Sequence, residues 1–184
     1  MTADTPPFVA TSSQTVGPFF HVGPGATDAP GRMASPDTPG DHITLALRVL
    51  DGDGAPVPDA MLEVRQADAA GSYGESPGFS GFGRLSTDAD GWCRFTTIKP
   101  GAIADADGSR QAPHVSICLF ARGLLRHVYT RLYFAGDEGL EADSLLQLAP
   151  PDRRSTLVAE LTAPSTWQLV LRLQGPGETV FFDI

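Results

Sequence analysis

The side chains that could bind a metal ion or catalyse a reaction are few in this chain of 184 residues. The sequence contains no phosphate-binding loop, nucleophile elbow or zinc-ligand spacing, so the candidates are histidines and tyrosines, which can bind transition metals. A pair two residues apart in a strand points to one face, and His127 with Tyr129 is such a pair. The metal-capable residues are His21, His42, His114, His127, Tyr73, Tyr129 and Tyr133.

The charge balance argues against two classes of partner. The chain has 13 Lys and Arg against 22 Asp and Glu, a formal net charge of −9. This charge repels nucleic acid and anionic lipid, and no run of 18 apolar residues is present to span a bilayer.

The N-terminus lacks the basic start and apolar run of a signal peptide. Cys93 and Cys118 lie in strand-like segments and fit buried thiols in a reducing compartment. We therefore expect a cytoplasmic protein that binds neither nucleic acid nor membrane.

Frequent turns divide the chain into short segments, because it contains 20 Gly and 16 Pro. Alternation of apolar and polar residues predicts strands with one buried face. Several short strands separated by turns predict an all-β fold, an antiparallel β-sandwich with one or two short helices. The helices are predicted at Gly139–Leu148 and at Pro151–Leu161, which opens with Pro and Asp. The predicted strands are His42–Leu50, Met61–Gln66, Trp92–Thr97, His114–Phe120, Val128–Phe134 and Thr166–Leu173, with Thr179–Phe182 closing a sheet edge.

Residues 1–41 are predicted to form an extended N-terminal arm in front of a sandwich domain of residues 42–184. Seven prolines between positions 6 and 39 exclude a regular strand ladder there. The arm also contains Phe8, Phe19 and Phe20, whereas disordered tails have few aromatic residues. We therefore expect the arm to lie over another surface and not to be disordered.

Five stretches of the sequence follow one another in the order found in a known family. Together they resemble the intradiol ring-cleaving dioxygenases, which open catechols with a non-haem ferric ion on a β-sandwich. The resemblance runs from about residue 8 to the C-terminus. The stretches are QADAAGSY at 66–73, TIKPG at 97–101, APHVSICLFARG at 112–123, RLYF at 131–134 and GETVFFDI at 177–184.

The resemblance implies four ligand positions for Fe³⁺, of which only two carry a ligand here. Tyr73 ends the AAG-x-Y motif, and His114 is the first residue of a His-x-His strand. Ile103 stands where a second tyrosine should follow the KPG turn, and Ser116 stands at the second histidine. One tyrosinate would leave about two charges of Fe³⁺ uncompensated, at a cost of several kcal/mol per ion. We therefore predict that this chain holds no metal and no catalytic residue, and that these four are vestigial ligand positions.

These departures are similar to those of the iron-free alpha chain in family members that act on protocatechuate. By this resemblance, a homologous beta chain holds the Fe³⁺ and the two chains form a higher-order oligomer. The pair cleaves protocatechuate with O₂ between its two hydroxylated carbons and gives 3-carboxy-cis,cis-muconate. This chain shapes the substrate pocket at the alpha–beta interface, where the arm of residues 1–41 is expected to contact the partner chain. The isolated chain is predicted to be inactive.

The resemblance also implies a set of residues that contact the substrate. Thr15, Gly17, Pro18 and Phe19 of the SQTVGPFF stretch are expected to line its cavity. Arg122 is expected to pair with the substrate carboxylate, because a guanidinium matches a carboxylate in charge and in fork geometry.

Two other arginines, Arg126 and Arg131, are expected to be structural or to lie between chains.

The sequence also leaves two alternatives to the subunit hypothesis open. One alternative is a metal-free β-sandwich binding module without a catalytic partner, which should leave its arm mobile. Another is a stand-alone metalloenzyme that uses His127 and Tyr129.

Overall fold

The computed structural model of the chain describes residues 11–17, 31–74, 76–104 and 108–183. Within them the predicted all-β class with short helical segments is confirmed. One α-helix, α1 (Ser144–Leu148), and two 3₁₀ turns, Leu140–Ala142 and Arg154–Leu157, accompany the strands. None of the helices in these ranges is long and apolar enough to cross a membrane. The strands are β1 (His42–Leu50), β2 (Met61–Gln66), β3 (Phe82–Ser86), β4 (Trp92–Ile98), β5 (Ile103–Ala104), β6 (Arg110–Gln111), β7 (His114–Phe120), β8 (Val128–Phe134), β9 (Val158–Ala163) and β10 (Thr166–Arg172).

Eight of these strands follow one another in the order β3-β2-β7-β8-β9-β10-β1-β4 and form the two halves of a sandwich. Strand β9 joins the halves, because it pairs with β10 in antiparallel and with β8 in parallel orientation. Strand β1 also pairs in parallel with β10. The sandwich is therefore antiparallel except at these two pairings. A parallel pair needs a long crossover, and the crossover from β8 to β9 carries α1.

The core lies between the two halves, and its alternation decides which residues of β7 face outward. Val115 and Ile117 of β7 belong to the same buried cluster as Leu45 and Leu47 of β1. Successive side chains of a strand point to opposite faces. The even-numbered residues of β7, beginning with His114, therefore point away from this core.

Two predicted elements near the C-terminus are wrong. The segment Pro151–Leu161 is not a helix, because Arg154–Leu157 forms a single 3₁₀ turn and β9 follows directly. The Pro-Asp start signal is local, whereas β9 is stabilised by partners on both of its sides. Residues Thr179–Phe182 form no strand, although Thr179 N donates to Arg172 O of β10 and Phe182 forms an isolated bridge to β8.

Two described parts of the predicted arm contact the sandwich. Met33 is buried in the main core, and its backbone N–H donates to Thr96 O at 2.9 Å. Thr15 Oγ1 accepts a hydrogen bond from Gly123 N at 2.8 Å. The division of the chain at residue 42 stays a prediction.

Candidate functional site

The AAG and KPG turns of the sequence motifs pack against each other, backbone to backbone. A Cβ atom on Gly71 would lie 2.1 Å from Ala102 O, and one on Gly101 would lie 2.4 Å from Ala69 O. Gly71 also has a φ of +80°, a conformation that side chains other than glycine rarely adopt. The two glycines therefore fix the relative position of the loops that carry the first two predicted ligand positions.

A buried glutamine joins the same two loops. Gln66 Nε2 donates to Ile98 O at 2.8 Å, and Thr97 Oγ1 donates to Gln66 Oε1 at 2.9 Å. Gln66 ends β2 just before the first loop, and Ile98 ends β4 just before the second. Sequence reasoning missed Gln66, although an amide at the end of an apolar strand signals a buried polar contact.

Two of the four predicted ligand positions come into contact. Tyr73 Oη lies 3.4 Å from His114 Nε2. His114 is fully buried, and its Nδ1 donates to Ala112 O at 2.8 Å, because a carbonyl oxygen can only accept. In a neutral imidazole, Nε2 is then an acceptor for the Tyr73 hydroxyl. We call this contact the Tyr73–His114 corner.

The other two positions offer no suitable donor to a metal at this corner. Ile103 begins the short strand β5, and its side chain is a hydrocarbon. Ser116 lies two residues after His114 on the same face of β7, and its hydroxyl is a poor substitute for an imidazole ligand. In the sheet register, Ser116 stands between Arg65 of β2 and Arg131 of β8.

The corner does not fit a ferric ion. Arg65 Cζ lies 5.5 Å from the centroid of the Tyr73 ring. Arg131 Nη1 donates to Gln111 Oε1 at 2.9 Å and contacts Tyr133 Oη at 3.5 Å. Two guanidinium groups beside a pair of donors add to the cost of placing a trivalent cation there. The described part of the chain also contains no group of three or more His, Cys, Asp or Glu that could hold a metal ion.

Tyr133 has a structural role beside the corner. Its hydroxyl donates to Asp143 Oδ1 at 2.8 Å. The buried Asp143 carboxylate also accepts from Ala112 N and from Leu146 N, both at 2.9 Å, and so caps α1. Burial raises the pKa of Tyr133 above its ordinary value. Tyr133 is therefore a neutral donor that holds the corner together and a poor metal ligand.

His127 and Tyr129 form a hydrogen-bonded pair, with His127 Nε2 and Tyr129 Oη 2.8 Å apart. Cys118, which pairs with Tyr129 across the sheet, is their neighbour. Burial raises the pKa of the Cys118 thiol to about 11, and the thiolate is the form that binds metals. The stand-alone metal hypothesis therefore has two donors and no effective third one among the described residues.

The two remaining histidines lie elsewhere. His42 Nε2 contacts Thr38 O at 2.9 Å, and His21 lies outside the described residues.

Arg122 lies at the other end of β7. A strand rises about 3.3 Å per residue, so the seven residues of β7 separate its two ends by about 20 Å. Arg122 is exposed in the turn after β7. The hydrogen bond from Gly123 to Thr15 brings the arm to this turn, where a cavity of about 140 Å³ lies between the arm and the turn. The structure thus brings Thr15 close to Arg122 and keeps both away from Tyr73.

The remaining predicted site residues divide between described and undescribed parts of the chain. Gly17 is exposed, whereas Pro18 and Phe19 lie outside the described residues. Arg126 is exposed and lines the cavity at the Arg122 turn. Arg131 lies at the opposite end of the sheet face, beside the Tyr73–His114 corner. The substrate contacts of these residues stay predictions.

Comparison with known proteins establishes the family. A family model described as "Dioxygenase" matches residues 15–172. The protocatechuate 3,4-dioxygenase alpha chain of Pseudomonas putida is 43% identical over an alignment that covers 94% of this chain and 96% of that one. The chain belongs to the intradiol dioxygenase family. The sequence-based recognition of this family is therefore confirmed.

Two further relatives place this intradiol dioxygenase chain more finely. The protocatechuate 3,4-dioxygenase beta chain of Burkholderia cepacia is 36% identical, over 69% of this chain and 59% of that one. The structure of catechol 1,2-dioxygenase from Pseudomonas arvilla C-1 superposes with a TM-score of 0.63 at 26% identity, covering 78% of this chain and 55% of that one. Similarity to the alpha chain extends over nearly the whole length, and similarity to the beta chain over about two thirds.

Proposed function

We propose that this chain is the alpha subunit of a protocatechuate 3,4-dioxygenase. It pairs with a homologous beta chain that holds the Fe³⁺, and the pairs assemble into a higher-order alpha–beta oligomer. The enzyme inserts both atoms of O₂ into protocatechuate as the ring opens between the hydroxylated carbons, giving 3-carboxy-cis,cis-muconate.

The observation that carries this proposal is the Tyr73–His114 corner. The chain is similar to an alpha chain over 94% of its length. At the corner, the hydrocarbon side chain of Ile103 and the hydroxyl of Ser116 stand in place of two iron ligands. An intradiol dioxygenase subunit of this kind depends on another chain for its metal.

The contribution of this chain is to shape the substrate pocket at the alpha–beta interface. The Arg122 guanidinium pairs with the protocatechuate carboxylate in fork geometry and orients the ring. The arm of residues 1–41 also contacts the beta chain, and Thr15, Gly17, Pro18 and Phe19 line the pocket and exclude water. The hydrogen bond between Thr15 and Gly123 supports this arrangement, because it fixes the arm beside the Arg122 turn.

Co-expression tests the subunit assignment. The chain is purified alone and together with a candidate beta chain, and each sample is assayed for bound iron, for visible tyrosinate-to-iron absorption and for O₂ uptake with protocatechuate. We expect no colour and no uptake from the chain alone, and both from the complex. Stoichiometric iron with colour in the isolated chain would contradict the proposal. A stable monomer that ignores the beta chain would favour a metal-free binding module.

A substitution tests the role of Arg122. In the complex, Arg122→Ala should raise the KM for protocatechuate by about tenfold to a hundredfold, the usual effect of losing a hydrogen bond to a charged group. The KM for catechol, which has no carboxylate, should change much less. Arg94→Ala is the matched control, since Arg94 is an exposed arginine on β4, away from the Arg122 turn. Equal losses with both substrates would remove the carboxylate role.

A further inference from the structure

A row of side chains crosses the outer face of the sheet at the Tyr73–His114 corner. Arg65 of β2, Ser116 of β7 and Arg131 of β8 are register partners on adjacent strands, so their side chains share one face. Neighbouring strands lie about 4.8 Å apart, which places the two arginine Cα atoms about 10 Å apart. The only side chain between them in this row is the small, half-buried Ser116.

Both guanidinium groups lean toward the corner. Arg65 Cζ stands over the Tyr73 ring at 5.5 Å. Arg131 Nη1 reaches Tyr133 Oη, and the Tyr133 ring lies 5.9 Å from the His114 ring, centroid to centroid. The corner is therefore bordered by a cation on each side.

No ion pair in the described ranges neutralises these two charges. Glu63, two residues before Arg65 on the same face, is already paired with Arg84. The Asp143 carboxylate accepts three hydrogen bonds from other groups. In a chain with a formal net charge of −9, two guanidinium groups that no described carboxylate pairs with, on one small surface, mark a place suited to an anion.

A cavity beside Arg65 gives room for more than a bare oxyanion. Its volume is about 290 Å³, and its lining includes Tyr73, Ser80 and Phe82. This is at the small end of ligand pockets in proteins. The space suits a single ring or a short chain that carries an anionic group.

We propose that the Tyr73–His114 corner binds a small oxyanion, as a carboxylate or phosphate group held between Arg65 and Arg131. The guanidinium groups donate to its oxygens in fork geometry, and the Ser116 hydroxyl donates from below. The substituent of an organic carboxylate occupies the cavity between Tyr73 and Phe82. This inference does not depend on the proposed function, because it uses only contacts within this chain.

Calorimetric titration of the purified full-length chain tests the site. The probes are inorganic phosphate and benzoate at constant ionic strength, with neutral benzamide as the control ligand. We expect saturable binding of at least one anion and none of benzamide. Binding of benzoate alone identifies an organic carboxylate as the ligand class, and binding of phosphate alone identifies an inorganic oxyanion. Absence of saturable binding for both anions would overturn the proposal.

Substitutions locate the bound anion. Arg65→Gln and Arg131→Gln should each weaken binding by about tenfold or more. Arg94→Gln removes the same charge from the other half of the sandwich and should leave the affinity unchanged. If all three variants lose affinity equally, the binding is unspecific and the site is refuted. Thermal unfolding without ligand checks the fold of each variant, and the exposed Arg65 decides the test if Arg131→Gln does not fold.

Discussion

Three glycine-to-alanine substitutions separate two reasons for a glycine in the loops of the candidate site, a positive φ and a close backbone approach. Two of the glycines lie in these loops, and the third serves as a comparison. Gly71 has a positive φ of +80°, and its Cβ would lie 2.1 Å from Ala102 O. Gly136 has nearly the same φ, +79°, but no atom lies within 4 Å of its Cβ position. Gly101 shows only the close approach, with a Cβ position 2.4 Å from Ala69 O. Gly136→Ala therefore reports the conformational cost, Gly101→Ala the contact, and Gly71→Ala both.

The expected losses of unfolding free energy follow from these geometries. A left-handed conformation costs a residue with a Cβ about 1–2 kcal/mol, which is the expected cost of Gly136→Ala. Forcing a methyl group into packed backbone costs about 1–3 kcal/mol, which is the expected cost of Gly101→Ala. Gly71→Ala should lose about 2–5 kcal/mol as the sum of both. The entropic gain of replacing glycine in the unfolded chain, about 0.4–1 kcal/mol, is common to all three and cancels in the comparison.

Urea unfolding of the three variants measures these losses, with an unchanged m-value as the sign that only stability has changed. In a chain of this size, each kcal/mol corresponds to about 2–4 °C in Tm. The predicted order is Gly71→Ala least stable, with the other two between it and the wild type. Equal losses for Gly71→Ala and Gly136→Ala would show that the two loops do not pack as described. A neutral Gly101→Ala would show the same.

Two further predictions concern buried polar groups. Tyr133→Phe removes a hydrogen bond to the buried Asp143 carboxylate and should destabilise the chain by about 1–3 kcal/mol, whereas Tyr129→Phe on the more open face should cost less. Equal losses in urea unfolding would refute this difference. Burial raises the pKa of Cys93 to about 12 and that of Cys118 to about 11, from an ordinary value of 9.0. The folded state then keeps protons that unfolded thiols release, so unfolding free energy should fall as pH rises from about 9 to 11. Rapid reaction of the native Cys93 thiol with a disulfide reagent at pH 8, or stability that increases over that range, would contradict this.

Strands with regular alternation were predictable from the sequence almost to the residue. The predicted bounds of β1, β2, β7 and β8 coincide with the observed ones, and those of β4 and β10 differ by one residue. In these strands the buried face is filled by every second residue. The period of two is therefore a property of the sequence that the fold preserves.

Strands that depend on a distant partner were not predictable. Only Ala159 of the six residues of β9 is buried, and the four residues after it are all exposed, so this strand shows no alternation. It is a strand because β8 and β10 supply hydrogen-bonding partners on its two sides. Strand β3 is a similar case, since it is an edge strand that pairs only with β2. These pairings with distant strands cannot be predicted from the local sequence of β3 or β9.

The candidate site shows the same division. Tyr73 and His114 are 41 positions apart in the sequence and come into contact in the structure. The order of the sequence motifs was enough to identify both as site residues. The arginine row was not predictable, because it requires the register of three strands. A slip of one residue in either pairing would move an arginine to the other face of the sheet. Site residues that belong to a sequence motif can be predicted from the sequence alone. Site residues that only strand register brings together can be identified only from the structure.

The contacts that hold the Tyr73–His114 corner together explain how the chain folds with a hydrocarbon at Ile103 and a hydroxyl at Ser116. The loops are fixed by the close approach of Gly71 and Gly101 and by the buried amide of Gln66, and the chain just before β7 is fixed by the carboxylate of Asp143. None of these contacts uses the side chain of Ile103 or Ser116. Replacing a metal ligand usually leaves an unpaired buried polar group, but here the scaffold carries its own hydrogen bonds and needs no ion to close it. The described contacts therefore keep the shape of the corner, and the position of Arg122 at the far end of β7, without a bound ion.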